Sequence, residues 1–280
     1  MNGARLGIAA QSVGLEQAAY CEALAYAKDR RQFGKAIIEF PAVYEILSNM
    51  KAKLEASRSL LYMTSRYVDI YKTLNDIASE RQLTPDERKE QRQYSKIADA
   101  FTPLSKAMGS EFANQAAYDA IQIHGGSGFM KDYTCERIYR DSRITSIYEG
   151  TTQLQTVAAI RYVTTGAYLN IIKDYEKMPI APEFKGLLNR LLNMAEKYEA
   201  SVNKITELKD QEMLDITARK LVEMAAYIIM GHLLLQDATT DKEMFSSVAN
   251  VFVRYAEVEV DKHALFVNKF NKDDLAFYRK

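Results

Sequence analysis

The chain has 280 residues, which is enough for one large domain or two of ordinary size. Lys plus Arg and Asp plus Glu both number 37, so the charge balance gives no reason to expect nucleic acid or an anionic membrane as a partner. Two cysteines, Cys21 and Cys135, are too few for a disulfide framework and predict reduced thiols in a cytoplasmic protein.

Neither a signal peptide nor a membrane span is expected from the sequence. The first residues lack a charged region followed by an apolar run, so we expect no signal peptide. The most apolar run, residues 225–235, is shorter than the roughly 20 residues that cross a bilayer. It therefore predicts a buried core helix, and we expect no membrane partner.

Apolar residues recur at three- and four-residue steps along most of the chain, which indicates amphipathic helices. Pro41 suits a first helical position, and a polar connection is predicted at residues 73–81. Thr84, Pro85 and Glu87 are typical of a capped helix start. Helices are predicted over residues 3–29, 41–71, 84–123, 134–141, 151–175, 183–208, 210–236 and 241–270.

Only 12 Gly and 5 Pro occur in the chain, and this scarcity of helix breakers predicts an all-α fold. Long helices with short connections form antiparallel, up-down bundles of the four-helix type. Pro179 and Pro182 punctuate the chain after the predicted bundle. We therefore predict two domains: residues 1–177 form the four-helix-type bundle, and residues 178–280 form a smaller helical bundle.

Four short segments carry the functional signal: DRRQFGK at 29–35, QIHGGSGF at 122–129, ERIYRD at 136–141 and IYEGTTQ at 147–153. In order and spacing, across residues 3–165, they resemble the acyl-CoA dehydrogenase family. The resemblance covers only the family's C-terminal helical bundle and leaves out its N-terminal helical and middle β domains. We expect a fragment of a longer protein that is inactive by itself.

Glu149 is the predicted catalytic base. Dehydrogenation of an acyl-CoA thioester removes a weakly acidic α-proton, so the site must hold a base and donors that stabilise the enolate. The resemblance assigns the base to Glu149, and its neighbours Tyr148 and Gly150 to substrate binding. The alternative position for the base in the family corresponds here to Ala4, which cannot serve. Spacing alone favours a plainer interpretation, a glutamate near a helix N-terminus.

The resemblance also implies contacts to FAD, of which those from segments 29–35 and 122–129 come from the neighbouring subunit, while Thr151 and Gln153 follow the base and touch the flavin nucleotide. Arginine suits a pyrophosphate because its planar fork binds two oxygens, and glycines let backbone N–H groups approach a phosphate. A solvated arginine and a glycine helix stop are the plainer interpretations. The residues implied in cofactor binding are Arg30, Gln32, Phe33, Gln122, Gly125, Gly126, Thr151 and Gln153. Arg5 corresponds to an arginine near the bound acyl-CoA, and Thr151 is also expected to cap its helix.

The implied activity is oxidation of acyl-CoA to trans-2-enoyl-CoA with FAD, with an electron-transfer flavoprotein as acceptor and a homodimer or tetramer as the assembly. Three alternatives stay open: an acyl-CoA oxidase, a module that only dimerises, and a relative recruited to nucleic acid, which the zero net charge disfavours. The three histidines show no ligand spacing, so no metal site is predicted, and His124 is expected to be packed or to lie at a dimer interface rather than to be catalytic.

Overall fold

The computed structural model describes residues 2–279 and confirms the all-α fold. A two-stranded antiparallel hairpin pairs β1 (Arg31–Gln32) with β2 (Lys35–Ala36). The helices are α1 (Asn2–Asp29), α2 (Pro41–Glu80), α3 (Pro85–His124), α4 (Thr134–Ser142), α5 (Thr152–Thr164), α6 (Ala167–Glu176), α7 (Lys185–Glu207), α8 (Gln211–Thr240) and α9 (Lys242–Lys269).

The chain divides into two compact units, the first ending at Gln155 and the second beginning at Thr156, within α5. The division at 177 and 178 stays a prediction about which segments fold independently. In the first unit the long helices α1, α2 and α3 pack on one another, and α4 packs on α1 and α3.

Small side chains form the seam between α1 and α3. Ala19, Ala23 and Ala27 of α1 are fully buried, and they share a core with Ala117 and Ala120 of α3. Since alanine adds only a methyl group, these helices approach closely along the seam. The seam holds α3 in place beside α1 at the end of both helices where the candidate cofactor residues lie.

The second unit is built around α8, which packs against α6, α7 and α9. The predicted bundle of three helices, α7 to α9, is therefore present. By length and composition α8 is long and apolar enough to span a membrane. The apolar segment is therefore longer than residues 225–235, from which a span was not expected. Of its most apolar stretch, 83% is buried inside the protein, as a core helix requires.

Two predicted helix boundaries were wrong. The second helix does not end near residue 71 but continues to Glu80, because Leu74 buries its side chain and extends the apolar face. The polar stretch at 73–81 is therefore mostly helix. The helix predicted over 151–175 is broken, because Gly166 adopts a left-handed backbone with φ 72° between α5 and α6.

Candidate functional site

A turn with an unusual backbone presents Glu149 at the start of α5. Glu149 has φ 53° and Gly150 has φ 91°, and the Glu149 side chain is exposed. A left-handed residue other than glycine is disfavoured by roughly 1–2 kcal/mol, so surrounding contacts must stabilise this turn. At Gly150 an added Cβ would lie 2.8 Å from Gln155 Nε2, so the position also lacks space for a side chain.

Side chains from α3 and α5 hold this turn. Lys106 Nζ donates to the Gly150 carbonyl at 2.8 Å, and Gln155 Nε2 donates to the same oxygen at 2.9 Å. Thr152 Oγ1 donates to the Glu111 carboxylate of α3 at 2.6 Å. Lys106, Gln155 and Glu111 were not predicted from the sequence. The signal for Lys106 was available in the sequence. It is the single charged residue in the run 100–110 of α3.

The other residues assigned to this part of the site lie around the same turn. The Leu154 amide donates to Thr151 Oγ1 at 3.4 Å, which confirms that Thr151 caps α5. The Tyr148 hydroxyl donates to Gln11 of α1. Gln153 is exposed on the first turn of α5. Arg5, partly buried on α1, lies close enough to contribute to the lowered pKa of Lys106, so it belongs to the same region.

A second group of predicted residues lines one cavity of about 700 Å³ at the C-terminal ends of α1 and α3. Arg30 contributes a cation that takes part in none of the ion pairs within residues 2–279, and the lining includes no carboxylate. Ile37, Phe40 and Val43 give it an apolar wall. The predicted cofactor residues that line this cavity are Arg30, Gln32, Phe33, Gln122, Gly125 and Gly126.

Glycine geometry shapes both edges of this cavity. Gly125 ends α3 with φ 61°, and its N–H donates to the Gln122 and Ile121 carbonyls. On the hairpin, Phe33 and Gly34 have φ 50° and 85°, as a tight two-residue turn requires. This turn leaves Phe33 93% exposed, an unusual state for a large apolar side chain in a single protomer.

His124 is packed, as expected. Its Nδ1 lies 2.7 Å from the Ala120 carbonyl, and its ring stacks on Tyr26 with 4.2 Å between the centroids. A carbonyl only accepts, so Nδ1 carries the proton. Across residues 2–279, no group of three or more His, Cys, Asp or Glu side chains is arranged to hold a metal ion.

The structure does not bring the two groups of predicted residues together in one protomer. Lys106, beside the Glu149 turn, and Gln122, in the cavity, are sixteen residues apart on α3, which corresponds to about 24 Å along the helix. The turn holds Tyr148, Glu149, Gly150, Thr151 and Gln153, whereas the cavity holds the other cofactor residues. Any site that needs both must combine different protomers or a ligand long enough to connect them.

Comparison with known proteins identifies the relatives of both units. A family model described as "Acyl-CoA dehydrogenase, C-terminal domain" matches residues 1–163, and one described as "Acyl-CoA dehydrogenase C terminal" matches residues 164–275. The chain is 39% identical over 151 residues to the caffeyl-CoA reductase-Etf complex subunit CarC of Acetobacterium woodii, covering 54% of this chain and 34% of that protein. It is 38% identical over 151 residues to a 3-(aryl)acrylate reductase of Clostridium sporogenes, with the same coverage of 54% and 34%.

An acyl-CoA dehydrogenase of Bacillus subtilis is 34% identical over 166 residues, covering 59% of this chain and 38% of that protein. The chain therefore spans little more than a third of the length of these curated relatives. Among solved structures, an acyl-CoA dehydrogenase complexed with FAD from Bacillus anthracis matches with a TM-score of 0.73 and 23% identity, covering 99% of this chain and 50% of that one. This match shows that both units share the fold of that protein's corresponding half.

Proposed function

Because the chain belongs to the acyl-CoA dehydrogenase family, we propose that it supplies the catalytic base and part of the cofactor site of an FAD-dependent enzyme that oxidises acyl-CoA to trans-2-enoyl-CoA. The observation that carries this proposal is the exposed carboxylate of Glu149 on a left-handed turn, in which Lys106 and Gln155 donate hydrogen bonds to the Gly150 carbonyl. The 280-residue chain alone is proposed to be inactive, since the relatives are much longer.

Glu149 acts as the base in this proposal. Its carboxylate removes the proton from the α-carbon, and the electrons of that C–H bond form the new double bond as a hydride leaves the β-carbon. A thioester α-proton is far less acidic than a protonated carboxylate, so donors on the thioester oxygen must stabilise the enolate. The family resemblance implies that the Glu149 backbone N–H is one of these donors. The left-handed turn then serves to set the carboxylate and this N–H on the same substrate.

The residues lining the cavity fit the dinucleotide part of FAD. Arg30 suits pyrophosphate oxygens, and Gly125 with Gly126 lets a phosphate approach the backbone. The apolar wall suits a flat adenine ring. When bound, FAD supplies the acceptor for the hydride from the β-carbon. We propose that the cavity of one protomer serves the Glu149 turn of another, in a homodimer or a dimer of dimers, with an electron-transfer flavoprotein as acceptor.

The reverse reaction is a second candidate. Two of the relatives carry reductase names, caffeyl-CoA reductase and 3-(aryl)acrylate reductase. In that direction Glu149 starts protonated and gives its proton to the α-carbon as a hydride arrives at the β-carbon, so the same residues serve. Incubating the oxidised protein with saturated acyl-CoA, and the reduced protein with 2-enoyl-CoA, each without an electron-transfer partner, separates the two directions by their relative rates.

The proposal is tested on the complete flavoprotein that contains this chain. Under anaerobic conditions, saturated acyl-CoA should bleach the oxidised-flavin absorbance of the wild type, while Glu149→Gln keeps its FAD and stays oxidised. The matched control is Glu80→Gln, an exposed carboxylate at the end of α2, which should bleach like the wild type. Bleaching of Glu149→Gln at the wild-type rate would remove Glu149 as the base. No bleaching of the oxidised wild type by saturated acyl-CoA, together with no reoxidation of the reduced wild type by 2-enoyl-CoA, would remove the proposed activity.

A further inference from the structure

The Gly150 carbonyl accepts hydrogen bonds from two completely buried side chains. Lys106 and Gln155 both have 0% of their surface exposed. Lys106 Nζ lies 2.8 Å and Gln155 Nε2 2.9 Å from this oxygen, and Gln155 Nε2 also lies 3.2 Å from the Glu149 carbonyl. Two donors from different helices, α3 and α5, thus converge on the carbonyl of the residue that follows Glu149.

Burial of Lys106 is unfavourable unless a partner compensates it. All ten residues of α3 from 101 to 110 are buried, and Lys106 is the charged one among them. Burial lowers its pKa to about 8, the nearby Glu111 carboxylate opposes this shift, and the Arg5 cation adds to it. An ammonium in this position needs a strong acceptor, and the Gly150 carbonyl is placed to be that acceptor.

The turn itself requires support. Glu149 has a left-handed backbone that a residue with a Cβ avoids, and such conformations persist where surrounding contacts fix them. The bonds to Gly150 fix one side of the turn, and the Thr152–Glu111 bond fixes the start of α5 on the same helix, α3. The Gly150 carbonyl is thereby held inward, while the Glu149 side chain remains exposed.

We propose that Lys106 and Gln155 are positioning residues, which hold the Gly150 carbonyl so that Glu149 faces the α-carbon of the substrate. This inference rests on the proposed function of Glu149 as the base. A positioning role and a purely structural role in the core predict different effects of substitution. A core residue contributes to folding, whereas a positioning residue changes the rate of proton removal more than substrate affinity or folding stability.

The variants are Lys106→Met, which keeps the length of the side chain without its charge, and Gln155→Leu, which keeps the volume without the donor. In the complete flavoprotein, stopped-flow measurement with acyl-CoA separates the rate constant of flavin reduction from the dissociation constant of the thioester. We expect the rate constant to fall about 10- to 100-fold in each variant, with the dissociation constant changing less than about threefold. Lys106→Arg, which restores a cationic donor, should recover part of the loss.

A second readout does not depend on catalysis. Hydrogen exchange of the amides at 149–152 should become faster in Lys106→Met and Gln155→Leu, while exchange within α2 stays as in the wild type. Lys220→Met in α8 is the matched control, because Lys220 is a partly buried lysine whose pKa is also lowered by burial. That control should change neither the exchange at 149–152 nor the rate constant.

The outcomes separate this inference from the proposed function. If Glu149→Gln still reduces flavin, both fail. If Glu149→Gln is inactive while Lys106→Met and Gln155→Leu reduce flavin at the wild-type rate, the positioning role alone is overturned. A loss of substrate affinity and melting temperature in proportion to the loss of rate also overturns it, since a core role predicts that pattern. If Lys106→Met fails to fold, Gln155→Leu and Lys106→Arg decide the question.

Discussion

At Gly150 both the backbone conformation and the lack of space disfavour any residue with a side chain. Its φ of 91° disfavours every side chain, and an added Cβ would meet Gln155 Nε2 at 2.8 Å. We predict that Gly150→Ala lowers the free energy of unfolding by about 1–3 kcal/mol and slows flavin reduction. Urea unfolding followed by circular dichroism measures the first effect. Gly14→Ala, in an open position within α1, is the control and should be neutral or stabilising.

Glu16 is a carboxyl group in the core, 1% exposed on α1. Burial raises its pKa well above the usual value, and this outweighs the opposing effects of Ser57, Arg58 and Lys53, while the charge of Glu55 acts in the same direction as burial. The folded chain therefore holds a proton that the unfolded chain releases above about pH 4.3. Stability contributed by this group is present below that pH and is lost as the pH rises.

We predict that Glu16→Gln removes this pH dependence. Between pH 5 and pH 8 the wild type should lose stability relative to Glu16→Gln, so that the variant is the more stable protein at pH 8. Urea midpoints at the two pH values provide the measurement. Glu22→Gln on the same helix is the control and should follow the wild type. Equal midpoint shifts in all three proteins would show that Glu16 is ionised in the fold.

At the residue scale, sequence reasoning located the residues whose signal is local. Thr151 caps α5 at the residue the pattern assigned, and Gly125 ends α3 where the glycines predict. Lys106 was missed because its acceptor is a carbonyl 44 residues away in sequence. Gln155 was missed because its acceptors, the Gly150 and Glu149 carbonyls, come within reach only through the left-handed turn. A lysine in an apolar helix indicates a buried partner but does not identify it.

At the element scale, local rules predicted helix starts better than helix ends. The Thr84 hydroxyl accepts a hydrogen bond from the Glu87 amide, and the Glu87 carboxylate accepts one from the Thr84 amide, as the sequence pattern predicts. The ion pair of Glu87 with Arg81 then supports the turn between α2 and α3. The end of α2 was placed too early because burial of Leu74 overrides the polarity of its neighbours.

Helix α8 carries a buried histidine that makes its unit sensitive to acid. His232 is 2% exposed, and burial lowers its pKa to about 4. The folded chain thus keeps His232 neutral, while the unfolded chain binds a proton below about pH 6.5. Stability is therefore present above pH 6.5 and is lost as the pH falls toward 4.

We predict that His232→Phe removes an acid-dependent loss on the order of 2 kcal/mol between pH 6.5 and pH 4. The ring of phenylalanine preserves the stacking on Tyr175. Guanidinium unfolding curves for both proteins across this range give the comparison. Parallel curves, with the same loss in wild type and variant, would mean that another group sets the acid sensitivity.

For the whole molecule, the separation of the Glu149 turn from the cavity predicts complementation between protomers. A mixed dimer of Glu149→Gln and Arg30→Ala protomers has one active site with both native residues if each site takes its base and its cavity from different protomers. Co-expression in equal amounts should restore about a quarter of wild-type flavin reduction, since half of the dimers are mixed and half of their sites are intact. Activity no higher than that of either variant alone would place both residues of each site in one protomer.

The sequence predicted the all-α class and the three-helix bundle of the second unit, because hydrophobic periodicity is strong in long helices. Six of the residues that the resemblance assigned to cofactor binding line the cavity. Residue patterns alone did not predict that the cavity and the Glu149 turn are far apart in one protomer, although the resemblance implied that the cavity residues contact the FAD of a neighbouring subunit. That separation follows from the length of α3, whereas the assignment of residues to sites came from a resemblance to assembled proteins.

The central claim is that Glu149 removes the α-proton, and isotope exchange tests it without any hydride transfer. The complete flavoprotein, with FAD bound, is incubated in D₂O with a 3-thiaacyl-CoA, which has sulfur in place of the β-carbon and cannot be oxidised. Nuclear magnetic resonance follows the α-protons of the thioester. We predict deuterium incorporation with the wild type and at least a 100-fold slower exchange with Glu149→Gln, given equal FAD content. Exchange at the same rate in both proteins would contradict the account, because another group would then be the base.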